Sequence, residues 1–266
     1  MATTRLSPIR PSPGRAREIS VGSAGLGLGL AAGAAWLYLA CMAWGMAHMD
    51  RGADMLIMPA MTHWNGADLA LVFLMWVVMM AAMMLPSAAP MVQTFARTAG
   101  APSPALSTFA FAVGYLAVWT GFSALATLGQ WGLLELSLIT PMMESASSWL
   151  SGGLLIAAGA FQFTRLKSAC LNKCRSPLGF LMSEWRPGSG GAFIMGVHHG
   201  VYCAGCCALL MLLLFVLGVM NLAWIAVLTL IVLAEKALPA ETLWPSRLLG
   251  AGLAVWGGYL LLITNG

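Results

Sequence analysis

Between Arg186 and Glu235 the chain carries no charged side chain for 48 residues, 187–234. Soluble core helices do not need such a run, whereas two successive membrane-crossing helices of about 20 apolar residues each do. The rest of the chain agrees, since only 8% of its 266 residues are charged and 60% are hydrophobic, against about 25% charged in a soluble domain. A soluble enzyme, a nucleic-acid module and a secreted disulfide scaffold are thereby set aside, and nucleic acid is not expected as a partner. The net charge of +4 follows the positions of the loops.

Seven apolar segments are expected, at 21–46, 68–92, 106–130, 147–165, 189–217, 221–238 and 246–264. They predict an all-α polytopic membrane helix bundle with the lipid bilayer as its surroundings. With seven crossings, 12 of the 13 Lys and Arg residues fall on one side and only Arg51 lies opposite. Cytoplasmic loops carry the excess of Lys and Arg, so the N-terminus is expected in the cytoplasm. Residues 1–20, rich in Ser, Pro and Arg, read as a disordered basic tail ahead of a transmembrane domain over 21–266. The first apolar segment, from Val21, reads as a retained span rather than a cleaved signal. Gly218-Val219-Met220-Asn221 reads as the turn between the fifth and sixth segments. The spacings Gly25, Gly29, Gly33 and Gly196, Gly200, Ala204 predict faces of close helix packing.

The fifth segment holds the residues with most chemistry. On a helix, Met195, Cys203 and Cys206 fall within about 40° of His199 on one stripe, and Cys207 lies about 80° round. His198 points about 100° away. Cysteine can serve as a small core residue, but an imidazole among thiols at mid-membrane depth is costly and points to metal binding or redox chemistry. The second segment adds Met75, Met79 and Met83 on one stripe and Met80, Met84 and Met91 on another, out of 19 methionines in all. Thioethers fill lipid-facing or core positions well; they are also soft ligands for Cu(I). In the same segment Pro86 and Pro90 remove backbone donors and predict a kink.

Two connecting segments carry similar groups. Met46, His48, Met49, Asp50, Asp54, Met55, Met58, Met61 and His63 read either as a copper-capture segment or as an interfacial amphipathic one. Cys170 and Cys174 form a C-x-x-x-C pair in the expected inner loop, where Lys167, Lys173 and Arg175 would favour thiolates. Glu235 and Lys236, at the end of the sixth segment, read as an interfacial pair with their charges turned to water, with a proton or gating role as the alternative. There is no P-loop, so ATP hydrolysis is not expected.

The strings Met79-Met80-Ala81-Ala82-Met83-Met84-Leu85-Pro86-Ser87-Ala88-Ala89-Pro90, Cys174-Arg175-Ser176-Pro177-Leu178, and Gly196-Val197-His198-His199-Gly200-Val201-Tyr202-Cys203-Ala204-Gly205-Cys206-Cys207 resemble a bacterial family of predicted metal-binding integral membrane proteins, a domain of unknown function. Met211, the Gly218–Asn221 turn and Glu235-Lys236 continue the resemblance, which covers the chain from the first span to about residue 240. Ala208 departs from it where a Trp is expected. The resemblance implies metal binding and a bacterial inner-membrane location.

The function expected from these residues is the binding of a soft transition metal, Cu(I) ahead of Zn(II), for copper transport, handling or delivery rather than enzymatic catalysis. His199, Cys203 and Cys206 are the expected core ligands, with Met79 or Met83 completing the shell and Cys207, Met195, Cys170 and Cys174 as further candidates. A metallochaperone or a membrane partner protein is the expected recipient. Two alternatives stay open. One is a membrane thiol–disulfide oxidoreductase using Cys203/Cys206 and Cys170/Cys174. The other is an assembly or packing subunit without chemistry.

Overall fold

The computed structural model describes residues 13–47, 64–99, 104–138, 147–239 and 242–264, which are helical apart from short turns, with no strand among them. The order is α1 (Pro13–Ala47), α2 (Gly66–Thr98), α3 (Pro104–Glu135), α4 (Ser148–Phe161), α5 (Arg165–Arg175), α6 (Pro177–Glu184), α7 (Gly188–Leu212), α8 (Leu214–Leu217), α9 (Leu222–Ala237) and α10 (Trp244–Thr264). The basic tail lies outside the described residues up to residue 12, as does the Met/His segment from His48 to His63.

Among the described residues five helices, not seven, are long and apolar enough to cross a membrane: α1, α2, α3, α7 with its continuation α8, and α10. The expected segments 147–165 and 221–238 fall short. The first becomes the 14-residue α4, ended at Gln162, after which Thr164 caps α5 by accepting from Lys167 N. The second becomes the 16-residue α9, started by the Asn221 side chain. At 1.5 Å per residue these are about 21 and 24 Å long, against about 30 Å of hydrocarbon. α7 nevertheless runs parallel to α3, with Gly196 against Phe111 and Gly200 against Tyr115 and Val118, so the chain turns back between them and Arg186, just before α7, falls on the side of Arg97, just before α3.

Local chemistry explains the long helices. Asn65 caps α2, accepting from Ala67 N at 2.8 Å and Asp68 N at 3.1 Å, and Asp68 accepts in return from Asn65 N at 2.9 Å. This reciprocal cap satisfies donors that a helix start leaves open. Pro86 lies inside α2 and cannot bond to the carbonyl four residues back. That carbonyl, Ala82 O, accepts instead from Trp36 Nε1 of α1 at 3.0 Å. Gly218 ends α8 with φ +91°, a conformation that favours glycine, and forms the expected turn into α9.

Packing joins these helices in two ways. α3 and α7 touch backbone to backbone: a β-carbon at Gly196 would overlap Phe111 O, and one at Gly200 would stand 2.9 Å from the Val118 side chain. The expected packing face of α7 is therefore present at both glycines. That of α1 is present only at Gly25, whose β-carbon would stand 3.5 Å from Gln93 Nε2, since Gly29 and Gly33 face open space. Both methionine stripes of α2 are buried in the protein rather than turned outward, Met79, Met80, Met83 and Met84 completely.

Candidate metal centre

Four helices bring side chains to one place around Cys203 on α7. From α9, Lys236 Nζ donates to Cys203 Sγ at 3.0 Å and to Ser87 Oγ of α2 at 2.8 Å. From α3, Tyr115 Oη lies 3.2 Å from the same sulfur and donates to Met84 O at 3.2 Å. From α5, Cys174 packs against the cluster that holds Cys203 and Cys206. Cys206 and Cys207 turn their thiols back to Cys203 O at 3.1 and 3.0 Å, and Cys207 Sγ stands 4.0 Å from Met84 Sδ. Cys203, Cys206, Cys207 and Met84 are buried.

The same contacts correct three expectations. Cys170 and Cys174 do not lie in an open loop; they sit on α5, which packs along α7 so that Cys170 Sγ fills the space beside Gly205. The neighbouring cations do not favour their thiolates. Burial, then Cys206, pushes the Cys170 thiol above its usual range, and the neighbouring Cys203 and Cys206 push Cys174 well above it. Lys167 is spent elsewhere, on both oxygens of Glu235 at 2.9 and 2.7 Å. Nor is Glu235-Lys236 an interfacial pair turned to water. Glu235 is buried, accepts also from Ser246 Oγ of α10 at 2.6 Å, and its carbonyl accepts from Arg175 Nε at 2.7 Å. These bonds fix the end of α9 and aim Lys236 at the thiols. The sequence does not single out Ser87 or Tyr115, and it offers Lys236 a proton or gating role rather than a place among the thiols. The charged Glu235-Lys236 pair after an uncharged run was the available signal.

The stripe on α7 divides. His199 packs among rings, 6.0 Å from Phe111, 5.5 Å from Tyr115 and 5.5 Å from Phe180 of α6, and its Nδ1 is buried with no hydrogen-bond partner. Met195 joins Phe95, Phe111 and Phe180 in a separate apolar cluster, its sulfur accepting from Arg186 N at 3.2 Å. His198 turns away, as its angle predicts, to Glu184 Oε2 at 3.0 Å. Met79 and Met83 lie in the apolar core around the cysteines, and Met84 is the methionine of α2 whose sulfur approaches a thiol.

The arrangement offers soft donors in a dry setting. Among the described residues no three His, Cys, Asp or Glu side chains stand as a ready-made coordination shell; the thiols bond to one another and to backbone. All are free of disulfides. Two sulfurs bound at about 2.3 Å to one tetrahedral ion stand about 3.8 Å apart, close to the 4.0 Å between Cys207 and Met84. No curated protein and no solved structure matches the chain. A family model does match it, over residues 73–260, a stretch that contains α5, α7, α9 and most of α2; the chain belongs to that family, PpoB2, described as a copper chaperone.

Proposed function

We propose that this chain is an integral membrane protein that takes Cu(I) as cargo at the sulfur cluster of Cys174, Cys203, Cys206, Cys207 and Met84 and hands it to a partner. The observation that carries the reading is the convergence of Cys174, from α5, on Cys203 and Cys206 of α7 with Met84 of α2 beside Cys207. Thiolate with thioether is a donor set for a soft ion; zinc rarely takes a thioether, so Zn(II) is the weaker fit. His199, one turn from Cys203 with an unpartnered buried nitrogen, is a further ligand at the edge of the cluster. Lys236 offsets the negative charge of a two-thiolate copper site. Five apolar helices support insertion in a bacterial inner membrane, and the N-terminal and Arg97 sides of α1 to α3 are assigned to the cytoplasm from their basic residues.

Copper analysis of detergent-purified protein tests this. Wild type is expected to retain Cu(I) in stoichiometric amount against a mild chelator, and Cys203→Ser/Cys206→Ser to lose it. Copper retained by the double variant would overturn the site. A copper-free wild type with a disulfide between α5 and α7 would favour thiol–disulfide exchange instead.

A further inference from the structure

Two contacts fix how α2 and α7–α8 face each other. Met84 meets Cys207 at 4.0 Å between sulfurs, and Trp76 meets Phe215 at 5.3 Å between ring centroids. Moving eight residues back along α2 matches moving eight forward along α7–α8, so the pair runs antiparallel. Midway between the anchors stand Met80 and Met211, each four residues, about 6 Å along the helix axis, from both. Both are fully buried. The backbones of α2 and α7 scarcely come within 8 Å, so side chains fill the seam. At its far end Trp76 is fully buried, donates Nε1 to Gln130 Oε1 of α3 at 2.7 Å, and lies edge-on to Phe122 at 6.4 Å.

We infer that Met80 and Met211 form a thioether ladder along which Cu(I) passes between the thiol cluster and the Trp76 end of the bundle, with Trp76 as the plug. The inference rests on the proposed Cu(I) site. An unligated cation has no place in this seam, because desolvating a charge without partners costs tens of kcal/mol in an idealised apolar medium. Thioethers replace water as soft, neutral ligands. Each step is ligand exchange: a copper–sulfur bond forms at Met211 or Met80 as one to Met84 or Cys207 breaks, and no electron moves. The thiolate charge left behind stays near Lys236, whose ammonium is 3.0 Å from Cys203 Sγ. Leucine in these places would fill the seam equally well, so filling alone does not call for sulfur at both.

The test is the rate at which copper-loaded protein in detergent gives Cu(I) to bicinchoninate, followed by absorbance. Met80→Leu/Met211→Leu conserves apolar volume and is expected to bind the same amount of copper but release it at least tenfold more slowly. Trp76→Ala is expected to release it faster. Wild-type rates in both variants would overturn the ladder, and so would loss of copper stoichiometry in the methionine double variant, which would make these residues part of the holding site. A wild type that never loads copper refutes the proposed site itself, a result distinguishable from either.

Discussion

Lys236 and Cys203, 33 residues apart on different helices, meet as an ammonium on a sulfur at 3.0 Å. The contact assigns a charge role to a residue outside the thiol stripe. Two thiolates and one Cu(I) leave a net negative charge, and in a weakly screened interior a cation 3 to 4 Å away offsets it by several kcal/mol at an effective dielectric of about 20. Lys236→Met is therefore expected to weaken Cu(I) binding at least tenfold in a chelator competition, whereas Lys236→Arg keeps most of the affinity. Equal affinity in the Met variant would remove Lys236 from the charge balance of the site.

Much of the site was legible in the sequence. Helical angles alone put Cys203 and Cys206 together and sent His198 elsewhere, and Met stripes marked the face of α2 that is buried. What escaped depended on other helices. A charged pair at a helix end ordinarily reaches for water; only the meeting of α5 with α9 shows that Lys167 neutralises Glu235 and leaves Lys236 for the thiols. Cys174 read as a loop residue because α5 is polar, with Lys167, Lys173 and Arg175 in 11 residues. The two short helices were overcounted as spans because apolar composition runs past their ends while hydrogen bonding does not. Gly29 and Gly33 share the spacing of Gly196 and Gly200 but face no partner, and spacing cannot say which helix arrives.

The ion pair beneath Lys236 makes a stability prediction. Lys167 and Glu235 are almost wholly buried and bonded at 2.7 Å. Removing one partner of such a pair leaves an uncompensated charge and costs about 3–5 kcal/mol. Lys167→Met should therefore lower the thermal midpoint markedly in detergent. Lys167→Met/Glu235→Met should recover much of the loss, because apolar replacement of a whole buried pair is often neutral. A double variant no more stable than the single one would show that the Ser246 contact with the carboxylate matters in itself.

The α3–α7 contact makes another. Gly196→Ala drives a methyl group into Phe111 O, and overpacking of this kind costs about 1–3 kcal/mol. Gly29→Ala, whose β-carbon meets nothing within 4 Å, is the matched control and should be neutral or slightly stabilising, since alanine favours the helix. Thermal unfolding of the two variants side by side checks the difference, and equal midpoints would mean that α3 and α7 can separate without loss.

The two cysteines of α5 should not behave alike. Cys174 packs against the cluster of Cys203 and Cys206, while Cys170 lies against Gly205 with its sulfur filling the gap left by the missing side chain. As a cargo ligand, Cys174 completes the cluster from the one helix that is not α2 or α7. Cys174→Ser is expected to weaken Cu(I) binding by at least tenfold, and Cys170→Ser by much less, because Cys170 acts there as a small packing residue. Cys170→Ala should be as well tolerated as Cys170→Ser. Chelator competition on the three variants checks the ranking. A larger loss at Cys170 than at Cys174 would move the α5 ligand one turn along the helix, to the side chain that touches Gly205.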